Sequence, residues 1–183
     1  MTAPHRTAVP TGHRDADRTD TRGFSAATAE AFATAFRHHP AGVSLISAAS
    51  PAGPVGLTAS SVTSVSIDPP TVAFSVMHAS RSATAVLDSP TVVVHLLADT
   101  HREIADTFAR PGTARFSDEQ RWAVLDTGEP YLPDARAALR CSIERIVPAG
   151  TSSLVLARVL SIAVTDPARP LIYLDRRFHT LDI

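Results

Sequence analysis

The chain predicts a mainly β domain, a barrel or sandwich with a few flanking helices. Three observations carry this. Short runs rich in Val, Ile and Thr recur between Val43 and Leu181, each bounded by Gly, Pro or Ser. Only three stretches have helical character, and they do not alternate with strands in the manner of a βαβ fold. At 183 residues with 44% apolar content, the chain is long enough for one domain with a real core. No internal repeat is present.

The elements follow in order. Residues 1–23 are polar and rich in Arg, Asp and Thr, and are expected to form a disordered leader, so the domain is expected to span 24–183. Ser25 precedes an Ala-rich run with Phe24, Phe32 and Phe36 on compatible faces, which predicts a helix capped at Ser25 and running to about His38, where Pro40 ends it. Val43 to Ala48 reads as a strand, Ser50-Pro51-Ala52-Gly53 as a turn, and Val55 to Ser66 as one or two strands. Pro69-Pro70 interrupts the pattern before a β-branched strand from Thr71 to Met77. Ser80 is placed to cap a short helix through Leu87, stopped by Pro90. A strand from Thr91 to Leu97 and a helix from Thr100 to Arg110 come next. The segment 115–136, with Gly128, Pro130 and Pro133, reads as irregular surface. Three further stretches, Leu139 to Val147, Ser153 to Thr165 and Leu171 to Leu181, complete the sheet, the last with a turn.

Charge and cysteine content narrow the function. The net charge is −1, which gives no long-range attraction to nucleic acid or to an anionic membrane. All 17 basic residues are Arg, because Lys is absent, so a bound phosphate must be held by Arg, hydroxyls or backbone N–H groups. The single Cys141 excludes an internal disulfide and a cysteine-based zinc site, and it is expected to point into the core. His38, His39, His101, Asp99 and Glu103 lack the spacing of a metal motif, and no G-x-S-x-G elbow is present. No run approaches the roughly 18 apolar residues of a membrane span, and no signal peptide is evident. The reading is a soluble cytoplasmic protein that binds neither nucleic acid nor membrane.

The segment from Gly56 to Thr71 carries the functional signal. Thr58, Ser60, Ser61, Thr63, Ser64, Ser66 and Thr71 put small hydroxyls where a buried strand would place bulk. Small hydroxyls leave room beside the strand and suit a flat, polar-edged ligand ending in phosphate. The same pattern also suits an edge strand that simply faces solvent. Arg81, flanked by Ser80 and Ser82 at a helix start, is a candidate phosphate ligand, offering a bidentate donor beside free N–H groups. The competing reading is a surface Arg paired with Asp88 or Glu103. His95 sits in an apolar strand, where a satisfied core histidine competes with a ligand contact.

Gly56 to Pro70 resembles the T-A-S-S-F-x-S-V-S-x-D-P-P motif of the flavin reductase-like family. Further pieces follow in the order and spacing of that family. Phe32-x3-Phe36-x3-Pro40-Ala41-Gly42-Val43 is similar to F-x-x-x-x-T-G-V, and Ser80-Arg81-Ser82 to S-R-T/S. Val92 to Leu97 is similar to F-x-V-N-V-L, and Gly128-Glu129-Pro130-Tyr131-Leu132 to G-x-P-x-L. Leu139 to Glu144 resembles L-x-C-x-V, Gly150 to Val159 aligns with G-D-H-x-L-x-x-G-x-V, and Pro170 to Tyr173 resembles P-L-x-Y. The resemblance covers Phe24 to Leu181.

The resemblance implies an FMN-binding split barrel of Greek-key type, a homodimer, and an NAD(P)H-dependent flavin reductase. Such an enzyme would supply reduced FMN or FAD to a separate monooxygenase or halogenase, with NADH or NADPH as hydride donor. It makes Thr58, Ala59, Ser60, Ser61, Ser80, Arg81, Ser82 and His95 the expected cofactor contacts. No catalytic side chain and no metal are implied, because the cofactor supplies the reactivity. Three positions depart from the pattern: Ala41 replaces Thr, His95 replaces Asn, and Gly150-Thr151-Ser152 replaces G-D-H. The missing histidine belongs to the family's nicotinamide site. The alternative is therefore a flavin-pocket protein of the same fold that has lost efficient NAD(P)H use and serves as a binding protein or a non-reductase enzyme. Tyr173, Phe178 and His179 either cover the flavin or pack in the core or a dimer.

Overall fold

The computed structural model describes residues 26–165 and 168–181. The expected leader, 1–23, and the expected cap Ser25 lie outside the described residues. The chain divides into two units, 1–36 and 37–183.

In the first unit the helix starts later than expected. Helix α1 spans Ala29–Arg37, and its first turn is closed by Thr28, whose Oγ1 accepts from the Ala31 N–H at 3.1 Å. Thr28 therefore does the capping, because residues 26–28 are not helical. Phe32 and Phe36, one turn apart, stack with ring centroids 4.6 Å apart, and both are more than half exposed.

The second unit is mostly strand. Its elements are β1 (Ala41–Gly42), β2 (Ser44–Ser50), β3 (Gly53–Ala59), β4 (Thr63–Ile67), β5 (Pro70–Met77), helix α2 (Arg81–Leu87), β6 (Thr91–Leu96), helix α3 (Arg102–Ala109), β7 (Ala123–Val124), β8 (Pro130–Tyr131), β9 (Ala137–Ala149), β10 (Ser152–Val164), β11 (Leu171–Leu174) and β12 (Arg177–Thr180). A 3-10 turn at Asp99–His101 leads into α3. The segment read as irregular surface contains the short β7–β8 hairpin, whose two-residue strands fall below what periodicity can detect.

Seven strands form one antiparallel sheet in the order β3-β2-β6-β9-β10-β5-β4. The order is not a meander, as a Greek-key arrangement requires. β3 and β4 lie at opposite edges, yet only Ser60, Ser61 and Val62 join them. Three residues cannot span seven flat strands at about 4.8 Å apiece, so the sheet must curl until its edges almost meet. The two edge strands are not paired with each other, and this seam leaves the barrel split. Ser61 pegs the seam: its Oγ accepts from the Ser75 N–H at 2.9 Å and donates to the Ser75 carbonyl at 3.3 Å.

A second sheet, β1-β11-β12, joins the first through a three-way backbone junction. Val43 N–H donates to Leu171 O at 2.9 Å, Leu171 N–H to Leu97 O at 3.1 Å, and Leu97 N–H to Val43 O at 3.1 Å. Side chains pack in two layers. Ile46, Phe74, Val92 and Val155 pack with Ala83 and Val86 of α2 inside the curl. Leu45, Leu97 and Leu171 pack with Ile104, Ala105 and Phe108 of α3 on the other side. β2 is thus covered on both faces, which explains why Ser44 to Ala48 is buried without alternation. Cys141 lies in the first core, fully buried, and burial pushes its thiol up to about 12. Among the described residues no helix is long and apolar enough to cross a membrane.

Candidate functional site

The seam opens into a cleft of about 470 Å³, within the range of small-molecule sites. Thr58, Ala59, Ser60, Ser61, Ser80 and Ser152 all line it. Residues far apart in the chain meet here because β10 pairs with β5, setting Ser152 opposite Met77, while the β3–β4 connection crosses the seam above them.

The hydroxyls divide between structure and cleft. Thr58 Oγ1 donates to Ala105 O at 2.7 Å and so ties β3 to α3. Ser80 caps α2, accepting from the Ala83 N–H at 3.1 Å. Ser60 has no hydrogen-bond partner among the described residues, and it lies outside both strand ladders. Beyond the seam, Thr63, Ser64 and Ser66 belong to the edge strand β4 and do not line the cleft. The hydroxyl run therefore divides: up to Ser61 it walls the cleft, and from Thr63 it forms an edge strand.

Besides His95, four of the expected residues stand outside the wall. Arg81 is exposed at the first position of α2, next to the lining residue Ser80. Gly150 and Thr151 form the two-residue turn between β9 and β10, with Gly150 at φ +61°, a conformation glycine takes without strain. Thr151 points its carbonyl to the His78 N–H at 3.0 Å. Ser82 is drawn in by a residue that sequence reasoning missed. Its Oγ accepts from Arg115 Nη1 at 3.0 Å.

His95 does not reach the cleft. It is fully buried in the layer beneath α3. Its Nδ1 bonds the Leu45 carbonyl at 2.9 Å, and its Nε2 accepts from the Leu132 N–H at 3.1 Å. The second bond makes Nε2 the acceptor, so Nδ1 carries the proton. Desolvation lowers its pKa from 6.5 to about 4; the Leu45 bond opposes this, and His101 adds to it. The expectation of a flavin-edge contact is corrected here: both ring nitrogens are used by the backbone, and the apolar strand reading is the one that holds.

Arg115 supplies the cleft's positive charge. Nη1 also donates to Gly56 O at 3.0 Å, and Nη2 to Arg110 O at 2.8 Å. The guanidinium lies over the Phe108 ring, 5.3 Å from its centroid. Its Nε is buried and has no hydrogen-bond partner. Desolvation lowers the pKa, yet a guanidinium stays charged at neutral pH. An orphaned donor on a desolvated cation beside the cleft fits an anionic ligand group. No carboxylate or imidazole is among the lining residues, so the wall offers no acid–base pair. The signal in the sequence was slight: one Arg after Gly112, inside a segment without periodicity.

Gly56 makes the approach of α3 possible. A Cβ there would stand 2.9 Å from Phe108 Cε1 and 3.0 Å from Ile46 O. Elsewhere, His101 Nε2 donates to Asp134 at 3.2 Å, and buried Glu129 pairs with Arg140 at 2.8 Å; both hold loops. No group of three or more His, Cys, Asp or Glu side chains able to hold a metal occurs among the described residues.

A cleft at the seam of a split barrel, walled by hydroxyls and one half-buried guanidinium, suits a flat, anionic cofactor. Residues 36–182 match the flavin reductase like domain. The chain belongs to the flavin reductase-like family. It is 38% identical over 152 residues to an NADH:FMN oxidoreductase of Rhodococcus qingshengii, covering 81% of this chain and 79% of the relative. A flavin reductase domain protein from Arthrobacter sp. FB24 superimposes with a TM-score of 0.78 at 30% identity, over 83% of this chain and 94% of that one. BorF, the flavin reductase component of a bacterial two-component tryptophan halogenase, superimposes with a TM-score of 0.76 at 25% identity, over 84% and 98%.

Proposed function

We propose that the protein is an NADH-dependent flavin reductase that takes FMN or FAD in the seam cleft. The observation that carries this is the gathering of Thr58 to Ser61, Ser80, Ser152 and Arg115 around one cavity. The named relatives, which are reductases, support it and lend nothing to the alternative of a pocket protein without hydride chemistry.

When bound, the flavin supplies the redox chemistry, accepting hydride from the nicotinamide. The chain's residues bind and orient. The 58–61 segment presents hydroxyls and backbone groups to the polar rim and the ribityl chain. Arg115 and the exposed Arg81 hold the phosphate end. Phe108 and Pro111 line the cleft and would limit the access of water to a flavin held there. Ser152, with Gly150 and Thr151 shaping its turn, lines the side of the cleft that we assign to the nicotinamide.

Reduced flavin would pass to a separate monooxygenase or halogenase. A homodimer is supported by β9 and β10, strands of 13 residues each, about 43 Å long. Past Arg158, β10 has only β9 as neighbour, and Leu160, Ile162 and Val164 alternate outward at 44%, 56% and 75% exposure. An open apolar edge needs cover, and a second copy offers a self-complementary one. Dependence on a nicotinamide pool fits the cytoplasm.

Anaerobic mixing of protein, FMN and NADH, followed near 450 nm, tests the function. Bleaching at a rate that scales with protein is expected. Absence of bleaching with FMN and FAD alike, with NADH or NADPH, removes the reading.

A further inference from the structure

A second cavity, of about 380 Å³, adjoins the ring cluster beside the seam cleft. Ala49 and Pro54 of the β2–β3 hairpin form one wall, Val124 and Pro130 of the β7–β8 hairpin another, and Phe116 and Trp122 the third. None of its lining residues is charged. Its two side chains with donor groups are already engaged within the protein: Ser50 Oγ donates to Gly53 O at 2.7 Å, and Trp122 Nε1 to Gln120 Oε1 at 3.1 Å. No side chain of the wall is left to compensate an ionic ligand for its lost hydration. An apolar cavity of about 150 Å³ already takes a benzene, so this one has room for a substituted or fused ring.

A single layer of rings separates this cavity from the seam cleft. Phe108 lines the cleft and Phe116 the cavity, and their rings meet edge to face with centroids 5.0 Å apart. Trp122 touches both, 4.6 Å from Phe116 and 5.6 Å from Phe108. Arg115, the chain neighbour of Phe116, lines the cleft and lies over Phe108. The backbone is a second sign. Phe116 is left-handed, with φ +59°. Asp175 and Arg176 take that conformation inside a hairpin turn, and Arg121 takes it as the cap of a 3-10 turn; Phe116 belongs to neither. A bulky side chain persists there only where its surroundings hold it, and such positions cluster at ligand sites. Phe116 is only half-buried, so its cavity side lacks part of that support.

We propose that this cavity binds a small uncharged aromatic molecule, whose presence fixes Phe116, and through it Arg115, and so tightens flavin binding in the seam cleft. The coupling rests on the flavin reductase reading; the binding does not. The rings of Phe116 and Trp122 offer faces and edges to a third ring. A ligand that fills the open side of Phe116 favours the conformation in which Arg115 reaches Ser82 Oγ and Gly56 O. By linkage, bound flavin favours the aromatic molecule by the same factor.

Trp122 is the one tryptophan of the chain, so its emission reports this wall alone. The probe is 2-phenylethanol, with phenylacetate as its charged counterpart and 2-cyclohexylethanol as its aliphatic one. In flavin-free protein 2-phenylethanol should shift the Trp122 emission saturably, and both counterparts should bind roughly fivefold or more weakly. Ala49→Phe fills the cavity and Val124→Arg charges it; both positions are exposed, so both variants should fold. Each should weaken 2-phenylethanol about tenfold or more, with the Tm and FMN affinity of Val124→Arg as in wild type. With 2-phenylethanol at saturation, calorimetry should show FMN bound about fivefold or more tightly. The absence of a saturable shift, equal binding of either counterpart, or wild-type binding by both variants overturns the proposal. So does an FMN affinity that 2-phenylethanol leaves unchanged or lowers, and all these results leave the reductase reading intact. A protein that binds 2-phenylethanol but neither FMN nor FAD overturns that reading, and the coupling with it.

Discussion

Arg115 Nη1 and Ser82 Oγ meet at 3.0 Å and join the loop after α3 to the first turn of α2. The same guanidinium grips Gly56 O on β3. One side chain therefore ties three walls of the cleft, while Arg81, one residue before Ser82, ties none.

The two arginines should fail differently. Arg81→Ala should weaken FMN tenfold or more and leave riboflavin, which lacks the phosphate, unchanged; a charge-assisted contact contributes about 1.5–3 kcal/mol. Arg115→Ala should weaken both ligands, FMN more, and also lower the unfolding midpoint. Parallel fluorescence titrations with the two flavins check this. Equal losses for both flavins in Arg81→Ala would make that residue structural.

Gly56→Ala should act on the cleft from behind. The added methyl meets Phe108 and a β2 carbonyl, and the backbone carbonyl has little freedom to yield. Phe108 must swing, taking the Arg115 guanidinium with it. We expect destabilisation of about 1–3 kcal/mol in urea melts and weaker FMN binding. A variant as stable and as tight as wild type would show that α3 is not held by this contact.

Ser152→His should lower the KM for NADH or raise turnover, with flavin affinity nearly constant. Ser152 lines the cleft, and its hydroxyl is too short to reach a group that an imidazole could bond or stack upon. Steady-state kinetics decides it. Impaired turnover in Ser152→His, beside a fast wild type, would mean that the serine is the better fit.

His95 predicts an acid-sensitive fold. Its folded pKa, about 4, lies below the unfolded 6.5. Between these values the unfolded chain holds a proton that the folded one does not, so stability should fall as pH falls through that window, by up to about 3 kcal/mol. The Leu132 N–H facing Nε2 is the physical obstacle to protonation. His95→Asn, losing at least one backbone contact, should be less stable at pH 7.5 by about 1–3 kcal/mol and show a smaller drop on going to pH 5. Urea melts at the two pH values measure both effects.

Strands long enough to show a pattern were legible in the sequence: Thr71 to Met77 and Thr91 to Leu97 sit within a residue of their structural limits. β1, β7 and β8 were not, since two residues have no periodicity. The cleft was half legible. Thr58 to Ser61, Ser80 and Ser152 carried a motif, and they do converge. Arg115 carried none, because its position comes from a left-handed Phe116, φ +59°, and from Phe108 beneath it, both tertiary features. His95 occupied a motif position but obeyed its apolar neighbours.

The seam also sets an order of events during synthesis. The hydroxyl wall leaves the ribosome with β3, but Ser152 and the β10 strand that backs it follow almost a hundred residues later, several seconds at roughly 5–20 residues per second. Until then β5 has no β10 to pair with, and the side of the cleft that carries Ser152 is missing. Flavin therefore cannot template the nascent chain. It meets a pocket only after the last long hairpin has closed, and stabilises a finished domain rather than guiding an unfinished one.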